Sequence, residues 1–122
     1  MVRLLLIALA GAAGALCRLG ANNLLGERPL PVATLVVNVA GSFALGVLLA
    51  WGTTHLSPEA LSALAVGFLG AFTTFSTFTL EAVELHSAGR AAVAAGYVGL
   101  SVVLGLAAAV TGRALGQWLL AQ

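Results

Sequence analysis

Four apolar segments, each long enough to cross a membrane as a helix, take up most of this chain. They lie near residues 4–25, 31–51, 58–84 and 90–117, and a membrane-spanning helix needs about 20 mostly apolar residues. Pro58 stands where the third helix would begin, a position that tolerates proline, and Ser57 before it is a suitable N-cap. The pattern predicts an all-α membrane protein with a single domain of four transmembrane helices over residues 1–122.

The composition favours a membrane over a soluble fold. Hydrophobic residues make up 61% of the chain and charged residues 7%, whereas a soluble domain carries about 25% charged residues. A soluble chain of this length could not bury so much apolar surface, so the lipid bilayer is an expected partner. A net charge of +1 supplies no basic patch, which argues against nucleic-acid binding.

The first apolar segment has some features of a secretion signal. Arg3 gives it a basic start, and Ala13-Gly14-Ala15 resembles a cleavage site. The apolar stretch nevertheless continues to Leu25. We therefore expect it to be retained as the first transmembrane helix.

Arginine is distributed almost evenly between the two sides of the predicted bundle. Four spans place both termini on one side, with Arg3 and Arg113, and leave Arg18, Arg28 and Arg90 on the other. Orientation in a membrane follows an excess of Lys and Arg on one side. A chain without that excess can insert both ways, which permits an antiparallel dimer of identical subunits.

The third span combines weak helix formers with aromatic side chains. Gly70 and the threonines after it predict a helix broken in mid-membrane, where free backbone carbonyls suit a hard cation such as Na⁺. Phe72, Phe75 and Phe78 recur every third residue. The edge of a phenylalanine ring is electropositive and can face an anion, although such a stripe can equally be packing.

Polar side chains also line one face of the second span and one face of the fourth. Thr34, Asn38 and Ser42 recur every fourth residue, as do Tyr97 and Ser101. Their amide and hydroxyl groups can donate to an anion. Two alternatives stay open: Asn38 can simply bond a neighbouring helix, and a hydroxyl can bond the carbonyl one turn back.

Three blocks of the sequence resemble the small fluoride channel family, often called Fluc. They are Gly11–Arg18, Thr34–Gly46 and, most specifically, Gly67–Phe78 with its Thr-Thr-Phe-Ser-Thr-Phe run. The resemblance covers essentially the whole chain. Leu19 departs from it, since an aromatic residue is common there, and so does Gly105, where a second serine often continues the polar face of the fourth span.

The resemblance implies an antiparallel homodimer in the cell (inner) membrane with two fluoride pathways. Phe75 and Phe78 would line the pores and Asn38 would contact fluoride, while carbonyls of Gly70 and Thr73 would hold a structural Na⁺ at the dimer interface. The further polar lining that it implies is Thr34, Ser76, Thr77, Tyr97 and Ser101. Arg18 and Glu81 would lie toward a vestibule.

Three other classes of function are alternatives to a channel that exports fluoride down its gradient. The spans contain no paired carboxylates at mid-membrane, no activated nucleophile and no metal cluster, so an enzyme is not expected. A small multidrug exporter coupled to protons needs a membrane-embedded acid, and Glu81 and Glu84 fall near a segment end. A structural subunit of a larger membrane complex is the other alternative.

Overall fold

The computed structural model describes residues 1–26 and 29–122, and within these ranges it contains helices but no strand. The elements are α1 (Val2–Leu25), α2 (Val32–His55), α3 (Pro58–Ser62), a π-helical segment (Ala63–Leu69), α4 (Gly70–Phe72), α5 (Phe75–Ser87) and α6 (Ala91–Leu120). The third span comprises everything from Pro58 to Ser87, so four helical stretches are long and apolar enough to cross a membrane. The predicted all-α, four-span fold is confirmed.

The ends of the helices follow the local sequence. The Ala60 N–H donates to Ser57 Oγ at 3.2 Å, so the predicted N-cap of the third span is confirmed. Gly26 and Gly89 follow α1 and α5 with φ of 65° and 76°, a left-handed conformation that favours glycine. Arg28, one of the arginines predicted to lie on the side opposite the termini, is outside the described residues.

Helices α2 and α6 make the most extensive contact between helices of the described chain, and they pack through glycines. A Cβ added at Gly46 would lie 2.5 Å from the Ala109 carbonyl oxygen, one at Gly116 would lie 2.7 Å from Ala50 Cβ, and one at Gly112 would overlap the Phe43 carbonyl. Close approach of backbones is how helices associate in lipid, where apolar burial gives no drive. The Gly112-xxx-Gly116 pair therefore packs α6 onto α2 within one subunit.

The first helix packs against the third span in the same way. Gly14 faces the Phe68 carbonyl so closely that a Cβ would overlap it, and a Cβ at Gly67 would lie 2.6 Å from the Ile7 carbonyl oxygen. Much of the remaining surface of α1 is exposed, and Leu9 and Leu16 are 61% and 67% exposed. Such an apolar outer surface suits lipid or another membrane helix, and the protein is a multi-pass membrane protein.

Replacing Gly112 by valine should destabilise the subunit by about 3 kcal/mol or more, because the carbonyl that its side chain would meet cannot swing away. The matched control is Gly99→Val on the same helix, since a Cβ at Gly99 meets no atom within 4 Å. Thermal unfolding in detergent measures the difference. Equal melting temperatures for the two variants would show that α2 and α6 are not in close contact at Gly112.

Candidate functional site

The third span is interrupted between Phe72 and Phe75. Thr73 and Thr74 have extended backbones, with φ and ψ of −81° and 160°, and of −151° and 116°. Thr74 starts the next helix as its N-cap, since its Oγ1 accepts from the Thr77 N–H at 3.2 Å. A π-helical segment, Ala63–Leu69, precedes the interruption, and no pattern in the sequence predicted it.

Asn38 of α2 holds the interrupted backbone. Its Nδ2 donates to the Thr74 carbonyl at 3.0 Å, and the Thr74 N–H donates to its Oδ1 at 2.8 Å. The bonding of Asn38 to a neighbouring helix, one of the two expectations for this residue, is therefore present. A side-chain amide carries two N–H donors, so these bonds leave Asn38 a second N–H for a ligand.

Two backbone carbonyls at the interruption lose their helical donors. In a continuous helix the Thr74 N–H would donate to the Gly70 carbonyl and the Thr77 N–H to the Thr73 carbonyl. These two N–H groups donate instead to Asn38 and to the Thr74 hydroxyl. The carbonyls of Gly70 and Thr73 are the ones implied as Na⁺ ligands, and both residues line a cavity of about 280 Å³.

A carboxylate and two hydroxyls form a cluster between α2, α5 and α6. Thr34 Oγ1 donates to Glu81 Oε1 and the Tyr97 hydroxyl to Glu81 Oε2, each at 2.7 Å. Thr34 and Glu81 also line a cavity of about 610 Å³ that Asn22 borders. Because α5 continues to Ser87, Glu81 lies inside the third span rather than near its end.

The phenylalanines differ in their surroundings. Phe78 is 9% exposed and packs on Tyr97 with ring centroids 5.3 Å apart. Phe75 is 77% exposed, lies 5.9 Å from the Phe78 ring and borders the same cavity as Asn38. Phe72 lies before the interruption and stacks on Phe68. The predicted stripe of three rings is therefore split, and Phe75 and Phe78 form one pair.

The four remaining predicted site residues are Ser76, Thr77, Ser101 and Arg18, and their surroundings differ. Thr77 Oγ1 accepts from the Thr74 hydroxyl at 2.9 Å, and Ser76 is exposed on α5. Ser101 has a buried hydroxyl that finds no hydrogen-bond partner within the described ranges. Arg18 lies on α1 one helical turn before Asn22. Asn22 lines the larger cavity, whereas Arg18 does not.

The chain matches one protein family and is similar to several known proteins. The family model described as CrcB-like protein, Camphor Resistance (CrcB), matches residues 5–113. A fluoride-specific ion channel FluC of Deinococcus radiodurans is 48% identical over 115 residues, covering 90% of this chain and 91% of that relative. The FluC proteins of Cereibacter sphaeroides and Paracoccus denitrificans are 47% and 45% identical and cover 91% and 94% of this chain.

Proposed function

The chain belongs to the CrcB-like family, and on that premise we propose that it is a fluoride-specific ion channel of the inner membrane. It lets fluoride leave the cell down its electrochemical gradient and so prevents fluoride from accumulating inside. It is a channel and not an enzyme. The observation that carries the proposal is the likeness, at 45% to 48% identity over nearly the whole chain, to relatives named as fluoride-specific channels.

The arrangement of polar groups suits a small, strongly hydrated anion. A pore for such an ion must replace its water with hydrogen-bond donors while binding it weakly enough for release. Asn38 keeps one amide N–H and Ser101 keeps its buried hydroxyl. Phe75 borders the same cavity as Asn38, and its ring lies 5.9 Å from that of Phe78. None of these groups carries a full positive charge that would trap fluoride.

The cluster of Glu81, Thr34 and Tyr97 makes the passage of fluoride depend on the position of the Glu81 side chain. The hydroxyls of Thr34 and Tyr97 both donate to the Glu81 carboxylate. Fluoride gains these donors only when Glu81 turns away toward the cavity of about 610 Å³ that it borders. Glu81 thus separates the narrow part of the path from the vestibule, into which Arg18 draws anions by its charge.

The working unit of the proposal is an antiparallel homodimer with a structural Na⁺ at its interface. Two copies related by a twofold axis would contribute four carbonyls, from Gly70 and Thr73 of each subunit. Both carbonyls lack their helical donors, and neutral carbonyl oxygens suit a hard monovalent cation. The ion would satisfy the carbonyls that the interruption leaves free and join the two copies.

Dual insertion is tested by the accessibility of a C-terminal tag. Because arginine is almost evenly distributed, we expect the C-terminus on both sides of the membrane in similar amounts. Two or three lysines added after Gln122 should shift the population toward one orientation. A wild-type chain found in one orientation alone would contradict the antiparallel dimer.

A bacterium that lacks its own fluoride exporter tests the function in cells. Expression of this chain should restore growth on fluoride medium, whereas resistance to lipophilic cations should not change. Immunodetection in the membrane fraction shows that the protein is present. If the protein accumulates there and the cells remain sensitive to fluoride, the proposed function is wrong.

A further inference from the structure

The polar face of α6 stops at a glycine. Tyr97 and Ser101 follow each other at one helical turn, and Gly105 takes the next position. The Ser101 hydroxyl is buried and, within the described ranges, makes no hydrogen bond. A buried polar group without a partner calls for a ligand, an ion or a water molecule that is not part of the chain.

Ser42 of α2 lies against the gap at Gly105. A Cβ built on Gly105 would lie 3.8 Å from Ser42 Oγ, and it would meet no other atom within 4 Å. The Ser42 hydroxyl thus lies within contact distance of the side chain that a serine at position 105 would carry. The polar faces of α2 and α6 meet at this point.

The Ser42 hydroxyl is available as a donor. Thr53, Thr73 and Thr111 each donate to the carbonyl one turn back, at 3.2, 2.9 and 2.9 Å, which is the usual bond of a hydroxyl in a helix. Ser42 makes no such bond to Asn38, nor any other side-chain hydrogen bond among the described residues. Its O–H can therefore be given to a ligand without loss of an existing bond.

Ser42 also stands where two cavities meet. One is the cavity of about 280 Å³ that Asn38 and Phe75 border, and the other is a cavity of about 520 Å³ that Arg113 and Gln117 border. Ser42 lines both. An anion that moves from the Arg113 end of the subunit to the helix interruption would pass its hydroxyl.

We propose that Ser42 coordinates the permeating fluoride and supplies the hydroxyl that α6 lacks at Gly105. Resting on the proposed function, this assigns Ser42 a hydrogen bond to the partly dehydrated ion between the Arg113 cavity and Asn38. The bond compensates part of the water that fluoride leaves behind. Ser42 and Ser101 then act as successive donors on the two facing helices.

The test asks whether a serine at position 105 restores fluoride efflux from liposomes after Ser42 has been replaced. Ser42→Ala should lower the efflux rate about tenfold, as expected for one lost hydrogen bond to an ion. Adding Gly105→Ser to Ser42→Ala should restore most of the rate, because the new hydroxyl enters the space beside position 42. The matched control, Ser42→Ala with Gly105→Ala, adds the carbon without the hydroxyl and should stay slow.

Wild-type efflux in the same liposomes separates this proposal from the proposed function. Absence of wild-type efflux would reject the channel itself. Given wild-type efflux, full rate in Ser42→Ala, no rescue by Gly105→Ser, or equal rescue by Gly105→Ala would each overturn the role of Ser42. Thr111→Ala, which removes a hydroxyl already bonded to the Ala107 and Ala108 carbonyls, should conduct like the wild type and elute with it in gel filtration.

Discussion

Fluoride flux through a Phe75→Ile channel is expected to fall about a hundredfold, equivalent to about 2.7 kcal/mol in the barrier. Isoleucine keeps much of the volume and removes the electropositive ring edge that, in the proposed pathway, would face a dehydrated anion. Phe75 is 77% exposed in the subunit, so its replacement should leave folding of the subunit unchanged. Phe78→Ile should have a similar effect on flux, together with a modest loss of stability because that ring is buried against Tyr97.

Phe43→Ile provides the matched control, since Phe43 is a partly exposed ring on α2 and does not line any of the three cavities described above. It should conduct like the wild type. Flux is measured as fluoride release from liposomes at equal protein density, and gel filtration verifies that each variant elutes with the wild type. Wild-type flux through both Phe75→Ile and Phe78→Ile would mean that the two rings only pack.

Asn38→Asp is expected to abolish fluoride flux. The carboxylate can still accept the Thr74 N–H, but its second oxygen would face the Thr74 carbonyl, which now accepts from Nδ2 at 3.0 Å. The variant therefore combines a charge that repels fluoride with repulsion at the helix interruption. Flux should fall about a hundredfold or more, and the melting temperature should fall with it.

Asn38→Leu tests the loss of the side-chain amide without an added charge. It introduces no charge, but it leaves both backbone groups of Thr74 without their partner at a cost of about 1–3 kcal/mol each. We expect lost flux and lost stability, with a melting temperature no higher than that of Asn38→Asp. Stable, conducting channels in both variants would contradict the double role of Asn38 as support for the interruption and donor to the ion.

Sequence periodicity and length were enough to predict the four spans, because a helix in lipid must be about 20 apolar residues long whatever its neighbours are. The N-cap at Ser57 was predictable because its hydrogen bond joins residues only three positions apart. The shared face of Thr34 and Asn38 also follows from the helical repeat alone. These features depend on residues close together in the chain.

The details of the site depend on contacts between distant residues. Gly70 and the threonines indicated a weak helix, but the extended residues are Thr73 and Thr74, where Asn38 of another span takes over the backbone bonds. The bonds of Glu81 to Thr34 and Tyr97 likewise require the relative rotation of three helices. Periodicity within one helix cannot determine that rotation.

The glycine pair of α6 also shows that a pattern within one helix does not identify the helix that packs against it. A Gly-xxx-Gly motif indicates that a helix approaches another backbone closely, but it does not say which one. In the structure the partner is α2 of the same subunit, where Gly112 faces Phe43 and Gly116 faces Ala50.

Fluoride efflux from liposomes that contain only this purified chain tests the central claim most directly. Vesicles loaded with potassium fluoride or potassium chloride are diluted into medium without the anion, and the potassium ionophore valinomycin carries the balancing charge. The account predicts rapid fluoride release that needs no proton gradient, with chloride retained. Retention of fluoride by vesicles that hold well-folded protein, or release of chloride as fast as fluoride, would contradict it.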